Sequence, residues 1–167
     1  MSFGKKIEGK LHISYNDIHT LVSDLAEKII DAKFKPDYIL AIGGGGFIPA
    51  RILRTFIDVP IISVTINFYN EDDTINDTPN IVQWIDCESL KDKKILIVDE
   101  IDDTRRTLKH LINMLNNEDV RDLGVAVIHN KIKKKESDIT YPYFEGEKID
   151  DIWVIYPWDI CDRRPLV

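Results

Sequence analysis

Cysteine is scarce in this chain: Cys87 and Cys161 stand far apart, with no Cys-x-x-Cys spacing. That offers neither a disulfide framework nor a thiolate metal site, and two reduced thiols in a cytosolic protein are the expectation. Histidine is sparse too, and His12, His19, His110 and His129 lack metal-ligand spacing. No apolar run is long enough to span a bilayer, and the opening M-S-F-G-K-K lacks a signal-peptide core, so a cytoplasmic protein without membrane contact is expected. Positive charge is in deficit: 22 Lys and Arg against 29 Asp and Glu, net −7 with pI near 5.1. The deficit argues against a nucleic-acid or anionic-membrane surface. It leaves room for a small anionic ligand at a locally positive site.

What is present suits one globular domain over 1–167. Hydrophobic residues make up 44% and charged residues 31%, ordinary values for a packed core with a solvated surface. Residues 17–31 carry Ile18, Leu21, Val22, Leu25, Ile29 and Ile30 at helical spacing, with Ser14, Asn16 or Asp17 as N-cap. Strands are expected at 38–42, 60–66, 81–85, 95–98, 123–128 and 152–156, and further helices at 49–56 and 104–115. Strands alternating with helices imply an α/β fold, a mostly parallel central sheet with helices on both faces. The core spans about 12–130, and a shorter, aromatic, loop-rich part from 131 to 167 forms a small cap. Residues 67–80, rich in Asn, Asp and Thr, are expected to be a mobile loop and a candidate lid.

Two segments follow strand ends, where parallel sheets bind ligands. The first is Gly43-Gly44-Gly45-Gly46, whose backbone can approach a phosphate closely. It lacks the third glycine of a dinucleotide fingerprint, where Ile48 stands, and the Gly-Lys-Ser/Thr of a P-loop. The second is I-L-I-V-D-E-I-D-D-T-R-R-T-L, residues 95–108. It sets Asp99, Glu100, Asp102 and Asp103 together ahead of a helix start flanked by Thr104 and Thr107. Such carboxylates hold hydroxyls, a metal or a developing cation, and helix N–H groups hold a phosphate. A sugar phosphate carries both kinds of group. The plainer reading is a solvated loop with Asp102 or Asp103 as a helix cap, but clustered carboxylates repel unless something compensates.

Residues 98–104 resemble the phosphoribosyl-pyrophosphate motif of the type I phosphoribosyltransferases. Residues 41–49 (A-I-G-G-G-G-F-I-P) look like their pyrophosphate loop, and 153–159 (W-V-I-Y-P-W-D) are similar to the base-binding segment of the 6-oxopurine enzymes. The resemblance implies a small C-terminal base-binding hood and these roles. Asp99 and Glu100 hold the ribose hydroxyls and lie near Mg2+. Asp103 sits beside purine N7 as general acid/base and, with Thr104, Arg105, Arg106 and Thr107, lines the 5′-phosphate site. Gly43, Gly44 and Gly45 meet pyrophosphate. Lys131 recognises the 6-oxo group, Trp153 stacks on the base, and Val154 and Asp159 face its 2-position. It implies a homo-oligomer, dimer or tetramer, acting on phosphoribosyl pyrophosphate and hypoxanthine, guanine or xanthine.

The chain departs from the family in two places. Arg105 stands where glycine is usual after the threonine, and Gly44 stands where the bacterial xanthine-guanine enzyme has arginine. Other residues are given plainer expectations: Lys133 to Lys135 a solvated run, Trp158 packing, Arg163 and Arg164 a tail or a reach to pyrophosphate. Two rival functions carry the same acidic strand. A signalling receiver domain explains neither the glycine run nor the tryptophan segment. A regulator that binds the ligand without turnover has no use for Asp103.

Overall fold

The computed structural model describes residues 3–69 and 75–159, so Cys161, Arg163 and Arg164 lie outside the described residues. The element order is β1 (Lys5–Ile7), β2 (Lys10–His12), α1 (Tyr15–Asp31), β3 (Tyr38–Gly43), α2 (Phe47–Ile57), β4 (Ile61–Tyr69), β5 (Ile75–Gln83), β6 (Lys94–Asp102), α3 (Arg106–Asn116), β7 (Asp122–Lys131), β8 (Tyr143–Ile149) and β9 (Trp153–Ile155). Ser14 is the cap of α1, in a full capping box: its Oγ accepts from Asp17 N–H at 3.2 Å, and Asp17 accepts from Ser14 N–H at 2.9 Å.

Six strands form the main sheet in the order β5-β4-β3-β6-β7-β8, parallel throughout except where β5 pairs with β4. Alternate residues along each strand serve opposite faces. Ile39, Ala41, Leu96, Val98, Ala126 and Ile128 pack with α1 and α2 residues such as Leu21, Leu25 and Leu53. Leu40, Ile42, Ile95, Ile97, Val125 and Val127 pack with Leu108, Leu111 and Leu115 of α3. Both faces are covered, which is why the central strands are apolar without alternation. From β3 the chain moves outward to β4 on one side. From β6 it moves to β7 on the other. The crevice between the C-terminal ends of β3 and β6 is therefore the topological switch point, and it is where the glycine run and the acidic segment emerge.

Several local expectations are corrected. The polar stretch 67–80 is not one loop. The strand pair β4–β5 runs through most of it, with Asn67 opposite Asn80 and Tyr69 opposite Ile75, and only 70–74 lie outside the described residues. Backbone pairing in a two-stranded ribbon needs no apolar pattern, so composition concealed it. The segment after Lys131 is less loop-like than expected. β8 joins the main sheet parallel to β7, and β9 pairs with β2 in a small three-stranded sheet, β1-β2-β9. Edge position explains the miss: β8 reads Y-F-E-G-E-K-I, and an edge strand tolerates glycine and charge.

Candidate active site

β6 runs four residues further than its apolar pattern, so Asp99, Glu100 and Asp102 belong to the strand and not to a loop. Hydrogen-bonding to β7 continues with Asp99 opposite Val127 and Asp102 opposite Asn130. Neither Asp102 nor Asp103 caps the next helix. α3 begins at Arg106 with Arg105 as N-cap, at φ 70° and ψ 9°; the Arg105 side chain makes no cap bond, and Thr104 Oγ1 accepts from Arg106 N–H at 3.4 Å. Its first-turn N–H groups border a cavity of about 360 Å³ lined by residues 99–108, Lys131, Trp153, Val154, Tyr156 and Asp159.

The four glycines have different tasks. A Cβ on Gly43 would strike Phe47 and Thr65, and one on Gly46 would strike the Val98 and Ile42 carbonyls, so these two permit close packing. A Cβ on Gly45 would strike the Glu100 carboxylate, which therefore rests directly against this backbone. Only at Gly44 would a Cβ meet nothing within 4 Å. The glycine run thus seats one of the acidic residues, a link that spacing did not reveal.

Arg105 occupies the left-handed region, which costs a non-glycine residue roughly 1–2 kcal/mol. Its guanidinium is taken up by partners within the protein. Nε and Nη2 donate to Asp102 Oδ2 at 2.9 and 2.7 Å, and Nη1 donates to the Ser137 carbonyl at 3.1 Å. Tyr143 Oη donates to the same Asp102 oxygen at 2.8 Å, with its ring under the guanidinium. Charge-assisted bonds of this kind contribute about 1.5–3 kcal/mol each, enough to offset the backbone cost. Although burial alone would lower it, the pair with Asp102 raises the Arg105 pKa.

The lysine run is not a solvated loop. Lys135 Nζ donates to the Asp102 and Asp103 carbonyls at 2.6 and 2.8 Å. Glu136 N–H donates to the Thr104 carbonyl, and Arg106 Nε donates to Glu136 at 2.8 Å. Lys131 and Lys133 reach Asp103 at 3.0 and 2.9 Å, and both also pair with Asp151. Desolvation would raise the Asp103 pKa, but hydrogen bonds from Lys133 and Lys131 outweigh it and hold the carboxyl below its ordinary value. Sequence reasoning missed Lys133, Lys135 and Tyr143. The one available signal was the alternation 131, 133, 135, which presents every second lysine to one side.

On the other wall, Trp153 is 67% exposed. Val154 and Asp159 join it in the lining. Beneath them Tyr156 Oη donates to the Glu100 carbonyl at 3.1 Å and meets His129 Nδ1 at 2.8 Å. Burial lowers the His129 pKa to about 4, so the imidazole is neutral at physiological pH and serves as a support. Trp158 stacks on Tyr156 with ring centres 4.8 Å apart.

A cavity that joins a carboxylate strand, a helix start and an exposed aromatic ring has counterparts among known proteins. Residues 14–162 match the phosphoribosyl transferase domain. The chain belongs to the phosphoribosyltransferase family. This phosphoribosyltransferase is 38% identical to the hypoxanthine-guanine phosphoribosyltransferase of Schizosaccharomyces pombe, over 92% of its own length and 90% of the relative's. It is 34% identical to xanthine phosphoribosyltransferase 1 of Saccharomyces cerevisiae, over 92% and 91%. Among solved structures, a hypothetical protein from Neisseria gonorrhoeae with bound ppGpp superposes with a TM-score of 0.84 at 44% identity, covering 95% of this chain and 93% of that one. Among the described residues no helix is long and apolar enough to cross a membrane.

Phosphoribosyltransferases of this family are generally magnesium-dependent. Asp99 and Glu100 fit such an ion. Glu100 Oε2 is buried without a hydrogen-bond partner, in a cradle that a Cβ on Gly45 would fill. Burial and the adjacent Glu100 charge push the Asp99 pKa well up, and a divalent cation relieves both penalties. Among the described residues no three or more His, Cys, Asp or Glu form a self-contained cage. Magnesium commonly takes one or two carboxylates and completes its shell with substrate oxygens and water.

The raised Asp99 pKa has a consequence for stability. A carboxyl whose folded-state pKa lies above the unfolded one disfavours the fold increasingly as pH rises from the ordinary value of 3.8 through the folded pKa. Asp99→Asn removes that penalty at neutral pH. The metal-free variant is expected to melt higher, by roughly 2–4 °C per kcal/mol recovered, and to show less of the rise expected of wild type on adding magnesium and phosphoribosyl pyrophosphate. Thermal melts with and without ligand check both halves.

Proposed function

We propose that this phosphoribosyltransferase joins phosphoribosyl pyrophosphate to N9 of a 6-oxopurine, hypoxanthine, guanine or xanthine, in purine salvage. The products are the nucleoside 5′-monophosphate and pyrophosphate. The observation that carries the reading is the Lys131–Asp103 pair at 3.0 Å, set between the α3 turn and Trp153. A cation and a carboxylate at that place match the 6-oxo group and N7 of one purine edge.

In this reading Thr104, Arg106, Thr107 and the backbone of Arg105 surround the 5′-phosphate. Asp99 and Glu100 hold the ribose hydroxyls, Gly43, Gly44 and Gly45 border pyrophosphate, and Trp153 stacks on the base while Val154 and Asp159 face its 2-position. The C1′–O bond to pyrophosphate breaks as N9 attacks from the opposite face, and Asp103 takes the purine proton at N7. The transition state resembles an oxocarbenium ion, so carboxylates near C1′ stabilise charge that exists only there. Bound magnesium supplies neutralisation of the departing pyrophosphate. The catalytic unit is one domain, and the base-side hood includes β9 and the strand it pairs with. A cytoplasmic homo-oligomer, dimer or tetramer, completes the reading.

The test is a steady-state assay with phosphoribosyl pyrophosphate, magnesium and hypoxanthine, guanine, xanthine or adenine. Turnover is expected with one or more 6-oxopurines, and least with adenine, whose amino group gives the Lys131 ammonium no acceptor. Binding of phosphoribosyl pyrophosphate without turnover of any base would make the protein a non-catalytic regulator. The ppGpp on the Neisseria relative favours a second property. A guanosine bearing diphosphates shares base, ribose and phosphates with the proposed ligands, and the same assay reads its competition with phosphoribosyl pyrophosphate.

A further inference from the structure

We propose that Arg105 is a positioning residue, which with Asp102, Tyr143 and Lys135 locks the left-handed turn that presents the α3 N–H groups to the cavity. The inference rests on the reading of this turn as the 5′-phosphate loop.

A phosphate cradle of backbone N–H groups works only if its dihedral angles are set before the ligand arrives. At φ 70° the turn asks for a residue without a Cβ. Glycine would satisfy the angle, but it would leave the turn free to visit other conformations, so binding would have to order it. Arginine reverses that balance. Its backbone is held by its own side chain, which spans to a fully buried carboxylate on β6 and to a carbonyl in the loop before β8. The carboxylate is fixed in turn by the Tyr143 hydroxyl from β8 and approached by Lys135 Nζ at 3.5 Å. Lys135 also donates to the successive carbonyls of Asp102 and Asp103. Three separate segments thus converge on two residues of the turn. Charge on Arg105 is consumed inside the protein, so its contribution to the anion is the shape of the backbone.

Two properties follow. The clamp acts on sugar-phosphate binding more than on the chemical step, because Asp103 keeps its own partners Lys131 and Lys133. The fork geometry matters beyond charge, since a lysine ammonium cannot make the paired Nε and Nη2 bonds to one carboxylate oxygen.

The experiment compares wild type, Arg105→Gly, Arg105→Lys and Tyr143→Phe by steady-state kinetics, with the melting temperature measured on each. Arg105→Gly keeps a residue suited to the angle and removes only the clamp. Its KM for phosphoribosyl pyrophosphate is expected to rise on the order of 10-fold, with kcat and the purine KM within about 3-fold. Arg105→Lys should fail to restore the KM. Tyr143→Phe, which leaves every charge in place, should raise it by about 2–5-fold and serves where the arginine variants fold poorly. Wild-type KM in Arg105→Gly or in Tyr143→Phe would overturn the inference, and so would a fall confined to kcat. Absence of any turnover in wild type would instead overturn the reading on which the inference rests.

Discussion

Asp103→Asn should lower kcat on the order of 10²–10⁴-fold, the span that one positioned general base supplies. Asparagine keeps the shape, but Lys131 and Lys133 bind different carboxylate oxygens, so its single oxygen replaces only one of them. Both lysines keep Asp151 as a partner, so the loop should hold and the KM for phosphoribosyl pyrophosphate should stay within a few-fold. What disappears is the capacity to take a proton. The wild-type carboxyl is held below its ordinary pKa, mainly against desolvation, by the two lysines. It is therefore ionised across the neutral range, and the activity of wild type should show no acid limb near neutrality from this group. When purine binds, Lys131 has a second acceptor in the 6-oxo group, and Asp103 then depends more on Lys133. A variant with near-normal turnover would remove Asp103 from the proton-transfer role.

Gly45→Ala is expected to be a functional lesion out of proportion to its effect on stability. The new Cβ would overlap the Glu100 carboxylate. The obstructing atoms are the end of a flexible side chain, which can rotate away, so the fold should survive with a melting temperature lowered by a few degrees at most. The carboxylate, however, cannot remain where it is. Displacement of a reacting or metal-facing group by about 1 Å costs on the order of 10²-fold, and kcat/KM for phosphoribosyl pyrophosphate should fall at least that far. Magnesium titration of the variant, followed by the ligand-dependent melting shift, separates loss of the carboxylate from general damage. An alanine variant with wild-type kcat/KM would show that the Glu100 position has no bearing on the reaction.

The architecture was largely legible. Apolar runs separated by amphipathic stretches placed β3, β4, β6, β7 and the three helices to within a few residues, because strands buried on both faces and helices buried on one leave different periodicities. The acidic segment and the glycine run could be brought to the same edge of the sheet from the sequence, since both leave strand C-termini. Less legible were β1, β2 and β8. Strands of three residues, or strands at an edge, stabilise themselves by backbone pairing with a distant partner and need no apolar pattern of their own. The end of β6 misled for the opposite reason. Four carboxylates suggested a loop, yet backbone bonds to β7 carry the strand onward through Asp102.

The sequence by itself determined the fold class, the shared strand-end edge of the glycine run and the acidic segment, and the presence of a carboxylate strand leading into an anion-ready helix start. These depend on residues close together along the chain, and local spacing records them. Tertiary structure alone decided what each member of that site does. It set Glu100 against Gly45, turned Arg105 inward onto Asp102, and drew Lys133 and Lys135 from an apparently solvated run onto the acidic turn. Those contacts join residues far apart in the chain: pairing of β6, β7 and β8 in one sheet leaves the Tyr143 hydroxyl and the loop between β7 and β8 within reach of Asp102. Register is a property of paired strands, fixed by how two faces pack, and no single segment carries it.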